Sequence, residues 1–181
     1  MESTLSPIHN YRIEIYEDKE KTKPVKDYEF KDGYAIIRAG TWYIFGKTTV
    51  QAYDESTVHV YDECRVWAYN HSVIYSYNQS KVHADDRTKV FAFNESFVTA
   101  MMYAKVNAND DTTVYAHAFS KITAGGNSTV NAYDDSFVYA DDKCIVDAYH
   151  DVNVCAHGCS QIWALDNSCV WDRDDSQIIY C

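Results

Sequence analysis

The octapeptide Val50–Thr57, Val-Gln-Ala-Tyr-Asp-Glu-Ser-Thr, decides how this 181-residue chain folds. From Val50 to Gln177 the sequence divides into sixteen consecutive blocks of eight residues without an insertion or deletion. The consensus is Val-x-Ala-x-Asp/Asn-x-Ser/Thr-x, with Val or Ile first in every block and Ala third in thirteen of the sixteen. A fixed short period of this kind is the signature of a repeat architecture, and it predicts a solenoid.

The repeat has an internal period of two, which is the period of a β-strand. We expect the uniform odd positions to face inward and the variable even positions to face solvent. Positions 8 and 1 to 4 favour strand, and the Asp/Asn-x-Ser/Thr segment favours a corner, with the Asx side chain accepting a hydrogen bond from the backbone two residues on. The Asp residues of position 5 are expected at solvated corners, in a column that Met102, Ala118 and a few others interrupt.

The number of blocks per coil follows from side chains that recur at one spacing. Lys89, Lys105 and Lys121 recur every sixteen residues, as do Tyr61 and Tyr77. We therefore predict an all-β, single-stranded parallel solenoid with two blocks per sixteen-residue coil and about eight coils, a rod of roughly 38 Å at about 4.8 Å per coil. A three-sided coil of twenty-four residues is the alternative.

The flanking segments differ from the repeat. Residues 1–49 are interpreted as a β-rich N-terminal capping segment, because alternating strands and the Asp32-Gly33 turn precede the array. Residues 50–177 form the solenoid, and residues 178–181 form an apolar tail. A solenoid end exposes unpaired strand edges, so we expect a second copy of the chain to cover the C-terminal end.

The blocks Val50–Thr57 and Val130–Phe137 resemble the V-x-A-Y-D-x-S-x octapeptide arrays of uncharacterised bacterial and phage proteins. The resemblance covers about 70% of the chain. It implies a β-solenoid and carries no activity, and the N-terminal segment lies outside it.

Charge and composition narrow the function classes. The net charge of −11 lies entirely in residues 50–181, and it is concentrated in residues 130–177, which have ten acidic and two basic side chains. Such a surface disfavours direct nucleic-acid binding and suits a protein partner with a basic groove. No apolar run or signal peptide is apparent, so we expect a cytoplasmic protein without membrane contact.

Two surfaces are candidate partner sites. The acidic candidates lie near the C-terminal end of the array: Asp135, Asp141, Asp147, Asp151 and Asp175. The aromatic candidates are expected to stack on one face of adjacent coils: Tyr61, Tyr75, Tyr77, Phe91 and Phe93, with His59 beside them.

We expect no metal and no cofactor. Cys155, His157 and Cys159 are the one candidate metal set, but alternate side chains of a straight strand diverge too far to share one zinc ion. Phosphate loops, nucleophile elbows and metalloprotease helices are absent from the sequence, so we expect a non-enzymatic interaction protein. A DNA-mimic inhibitor of a nucleic-acid-binding or defence enzyme is one form of this function, and a structural or adhesive rod, such as a fibre segment, is the alternative.

Overall fold

The computed structural model describes residues 14–25, 29–31, 34–174 and 176–180. These residues form twenty-one short strands: β1 Glu14–Tyr16, β2 Glu29–Lys31, β3 Tyr34–Ile37, β4 Thr41–Phe45, β5 Thr49–Ala52, β6 Thr57–Val60, β7 Arg65–Ala68, β8 Val73–Ser76, β9 Lys81–Ala84, β10 Lys89–Ala92, β11 Phe97–Ala100, β12 Lys105–Ala108, β13 Thr113–Ala116, β14 Lys121–Ala124, β15 Thr129–Ala132, β16 Phe137–Ala140, β17 Ile145–Ala148, β18 Asn153–Ala156, β19 Gln161–Ala164, β20 Cys169–Asp172 and β21 Gln177–Tyr180. No helix occurs in these ranges, and hence none that could cross a membrane.

The strands alternate between two sheets. Sheet A contains β1 and the even-numbered strands from β4 to β20, and sheet B contains β2 and the odd-numbered strands from β3 to β21. From β5 and β6 onward, each strand pairs in parallel with the strand sixteen residues later, as Lys89 does with Lys105. The prediction of a parallel β-solenoid with two blocks per sixteen-residue coil is confirmed, with about nine turns, and the twenty-four-residue alternative is excluded.

The interior is built from positions 1, 3 and 7 of the repeat. Val and Ala of each strand are fully buried, as Val114 and Ala116 are, and the position-7 side chains are buried beside them. In seven of the repeat turns the position-7 side chain donates a hydrogen bond to the carbonyl oxygen three residues earlier, as Thr112 Oγ1 does to Asn109 at 2.6 Å. This bond satisfies polar groups of the corner inside a thin core that admits little water.

Position 5 lies at solvated corners, as expected, and not with the inward-facing odd positions. From Asp54 to Asp166 its non-glycine residues have φ between 54° and 65°, the left-handed region, so their side chains turn outward. Asn, Asp and Gly tolerate this conformation best, which explains the consensus. The expected bond from the backbone two residues on is wrong: the Asx oxygen instead accepts the N–H of the residue one coil earlier, as Asp110 does from Asn94 at 3.0 Å.

The parallel stack extends beyond the consensus at its N-terminal side. Strands β3 and β4 already pair in parallel with β5 and β6, although their sequences do not match the repeat. Strand β1 then pairs antiparallel with β4, and β2 pairs antiparallel with β3. Each sheet is therefore covered on this edge by one antiparallel strand, which occupies backbone groups that a neighbouring molecule could otherwise pair with.

Candidate interaction surfaces

An aromatic ladder lies on the outer face of sheet A. It has two columns, at positions 2 and 4 of four consecutive coils: Tyr43, His59, Tyr75 and Phe91, and beside them Phe45, Tyr61, Tyr77 and Phe93. Neighbouring ring centroids are 4.6–5.3 Å apart and the ring planes lie within 12° of parallel. The predicted stacking of the aromatic candidates is confirmed. Whether they bind a partner stays a prediction.

The stacking determines what the ladder presents to solvent. Ring faces cover one another, so mainly ring edges point outward, and the rings between the ends are half-buried. Burial raises the pKa of Tyr61 to about 12, with nearby phenols adding to the effect. Burial, together with the charge of Lys19, lowers the pKa of His59. The ladder therefore stabilises the sheet as an uncharged unit and offers an apolar face at neutral pH.

A loop from the N-terminal segment lies against the first coil of the ladder. The ammonium group of Lys21 is 4.0 Å from the centre of the Phe45 ring, a cation–π contact. Tyr16 meets the same ring edge-on at a centroid distance of 5.8 Å. The N-terminal segment thus covers one end of the ladder and leaves the coils from Tyr61 to Phe93 accessible.

The five predicted acidic residues do not form one patch. Asp135 and Asp151 are exposed at the same turn position of consecutive coils, sixteen residues apart. Asp141 lies at the opposite turn, and Asp147 lies on the face of sheet B, where burial raises the pKa of its carboxyl group. Asp175 lies outside the described residues.

Carboxylates instead concentrate along the two edges of the rod, where positions 5 and 6 form the turns. We call the turns that follow sheet A strands the first edge and those that follow sheet B strands the second edge. Acidic residues on the first edge are Asp62, Glu63, Glu95, Asp110, Asp111, Asp142 and Asp174, and on the second edge Asp54, Glu55, Asp86, Asp134, Asp135, Asp151 and Asp166. Three basic residues interrupt these two rows: Lys47, Lys143 and Arg87.

One shallow depression follows the first edge. It measures about 430 Å³ and is lined by carboxylates and amides from three consecutive coils: Asp62, Glu63, Asn78, Gln79, Asn94 and Glu95. The Gln79 amide donates a hydrogen bond to the Glu95 carboxylate at 2.8 Å. Every lining side chain ends in a carboxylate or an amide, so this depression suits hydrated or charged partner groups better than an apolar ligand.

The candidate metal residues do not converge. Cys155 and His157 lie on the face of sheet A, whereas Cys159 lies in the following turn. His157 Nδ1 is 3.2 Å from an oxygen of Asp174. Among the described residues, no three His, Cys, Asp or Glu side chains are placed to hold one ion.

A further surface, which was not predicted from the sequence, lies in the middle of the second edge. Here Met102, Tyr103 and Phe119 occupy turn positions that elsewhere hold polar residues, and each is about half exposed. Lys105 and Lys121 lie beside them at the start of the next strands. The interruption of the Asx column at Met102 and Ala118 was the signal that could have found this surface.

Comparison with known proteins found no matching family model, no matching curated protein and no matching solved structure.

Proposed function

We propose that this protein is a non-enzymatic interaction protein that binds a basic protein groove through its acidic edges. The observation that carries the proposal is the arrangement of carboxylates in two rows, one along each edge of the solenoid. A DNA-binding groove also recognises two rows of negative charge. In its sharpest form the proposal is therefore a DNA mimic that inhibits a nucleic-acid-binding or defence enzyme.

The charge density supports this proposal in magnitude. The edges carry fourteen carboxylates against three basic side chains. Spread over about 38 Å of rod at about 4.8 Å per coil, this is roughly one net negative charge per 3.5 Å. Duplex DNA has one per about 1.7 Å. The rod therefore has about half the charge density of DNA, enough to steer a basic partner towards it.

The distance between the two rows of carboxylates also suits contact with both sides of a basic groove. A four-residue strand at about 3.3 Å per residue places about 13 Å of sheet between the edges. Almost all of the edge carboxylates are exposed, and only Asp86 is half-buried. Their charges can therefore contact lysine and arginine side chains on both sides of a groove without rearrangement of the solenoid.

The proposal is tested by affinity capture with two pairs of charge reversals. Tagged protein is used to capture partners from a lysate of the source organism, with and without competing duplex DNA. Asp135→Lys with Asp151→Lys changes the second edge, and Glu95→Lys with Asp111→Lys changes the same turn position of the first edge. All four side chains are exposed, so the fold should tolerate both pairs.

A mimic predicts capture of a nucleic-acid enzyme that DNA displaces and that both variant pairs lose. Loss in only one pair would restrict the site to that edge. Capture that neither pair weakens, or that DNA does not displace, would contradict the acidic-edge proposal and direct attention to the aromatic ladder, the other proposed partner surface.

The alternative function is a structural or adhesive rod. It is favoured by the unbroken register of the coils and by apolar side chains exposed on the last two strands, Trp171 at 52% and Ile179 at 44%. A rod predicts self-association and no displaceable enzyme partner, so the same capture experiment separates the two functions.

A further inference from the structure

A strip of basic and apolar side chains crosses from the second edge onto sheet A in the middle of the rod. The apolar half consists of Met102, Tyr103 and Phe119 at the turns. The basic half consists of Lys89, Lys105 and Lys121 at the first positions of β10, β12 and β14. We call this surface the mixed strip; it interrupts the acidic row of the second edge and begins on β10, the strand that also carries Phe91 of the aromatic ladder.

The apolar half departs from the repeat in two ways: its positive-φ position holds neither Asn, Asp nor Gly, and its exposed turn positions hold apolar side chains. Met102 has a φ of 56°, although it can neither relax as glycine does nor bond locally as Asn and Asp do. Its side chain is 48% exposed, and those of Tyr103 and Phe119 are 55% and 51% exposed. The two rings stack on each other at 5.5 Å. Strain combined with exposed apolar surface is typical of a functional site, because neither stabilises the free protein.

The basic half is unpaired in a strongly acidic protein. Lys89, Lys105 and Lys121 stand in register on neighbouring strands, so like charges repeat at about 4.8 Å. In the part of the chain that the structure describes, none of the three lies within 4.0 Å of a carboxylate. An anionic ligand would relieve this repulsion, and none of the nearby acidic side chains does so.

The neighbouring charges restrict what this ligand is. Along the second edge, Asp86 lies in the turn that leads into Lys89, and the coil after the strip carries Asp134 and Asp135. A long polyanion such as a nucleic acid would leave the lysines after about 10 Å and meet these carboxylates. A short protein segment can place its acidic residues over the lysines alone. It can also pack apolar side chains on Tyr103 and Phe119, which a phosphate backbone cannot do.

We propose that the mixed strip is a docking site for a partner protein segment in which acidic residues alternate with apolar residues. In an extended segment lying along the rod, successive side chains point to opposite sides. One side would contact the lysine column and the other the apolar turns. This site goes beyond the acidic-edge function, because it selects a partner surface of the opposite charge.

The test is a selection of random phage-displayed peptides on the full chain. The variant Lys105→Glu with Lys121→Glu serves as the counter-target. Peptides that bind only the unchanged protein should be enriched in Asp and Glu alternating with Leu, Phe or Tyr. A labelled copy of the most enriched peptide, titrated by fluorescence anisotropy, should lose about tenfold or more in affinity on the double variant, because two charge-assisted contacts are lost and reversed.

Two further variants make the result specific. Lys81→Glu reverses an exposed lysine at the same repeat position on sheet B and should leave binding unchanged. Tyr103→Ser with Phe119→Ser keeps the lysines and should weaken binding through the apolar half. Unchanged thermal unfolding of each variant, followed by circular dichroism, shows that the fold is retained.

Three outcomes would overturn the proposal. The first is enrichment of basic peptides or of peptides without acidic residues. The second is an equal loss of affinity on Lys81→Glu, which would indicate non-specific attraction. The third is tighter binding of a single-stranded oligothymidylate than of the peptide, with the same dependence on Lys105 and Lys121, which would assign the strip to nucleic acid.

Discussion

Replacing Met102 by asparagine should stabilise this protein, although the change removes an apolar side chain. Met102 has a φ of 56°, in the left-handed region where other turns of the repeat hold Asp, Asn or Gly. For most residues with a Cβ this conformation is less favourable by roughly 1–2 kcal/mol, whereas Asn adopts it readily. The lost packing is small because the side chain is 48% exposed.

A new hydrogen bond adds little to this estimate. In six other turns the Asx oxygen accepts an N–H of the preceding coil, and Asn at position 102 would compete for the N–H of Asp86. That N–H already donates to the carboxylate of Asp85 at 2.7 Å. We therefore expect a gain of about 1 kcal/mol from the backbone alone, which raises the midpoint of thermal unfolding by about 2–4 °C for a domain of this length.

The assay is thermal unfolding followed by circular dichroism, with two comparison variants. Met102→Gly should stabilise less, because glycine gains entropy in the unfolded chain. Met101→Asn changes the adjacent exposed methionine, whose φ is not positive, and should bring no gain. A lower midpoint for Met102→Asn than for the unchanged protein would refute the argument that this turn is strained.

Three further results are expected. Gly126→Ala should destabilise the protein by about 1–2 kcal/mol in chemical unfolding, because its φ is 67° and a Cβ would lie 2.9 Å from the Asp110 nitrogen; unaltered unfolding would contradict the close stacking of the turns. The pKa of Tyr61 is raised to about 12 in the fold, so the folded state holds this proton more tightly than the unfolded chain does. The resulting contribution to the free energy of unfolding is fully present below pH 10 and is lost as the pH rises to about 12. Tyr61→Phe should therefore reduce the loss of stability seen in unfolding curves measured across that pH range. Association through the C-terminal end predicts a dimer in sedimentation velocity that Trp171→Ser weakens; a monomer at all concentrations would rule it out.

The candidate surfaces could be predicted only in part. The stacking of Tyr61 on Tyr77 followed from their spacing of sixteen residues, because a coil of that length places them on adjacent strands. The acidic candidates were chosen by their position along the chain, and that criterion mixed Asp147 on a sheet face with Asp135 on an edge. The mixed strip was missed because Tyr103 and Phe119 stand at turn positions that the repeat fills with polar side chains, although the sixteen-residue spacing already placed Lys105 beside Lys121.

The sequence by itself determined the elements of this protein. A period of two fixes which side chains share a face, and the eight-residue phase fixes where each strand ends, because both depend on local backbone geometry. It could not determine that position 5 adopts the left-handed backbone conformation or that Asp110 accepts the N–H of Asn94, sixteen residues earlier. Those features depend on how the coil closes and on which turn lies above which. Coil closure is a property of the whole stack, since sixteen-residue and twenty-four-residue coils satisfy the same local pattern, and only the tertiary structure decided between them.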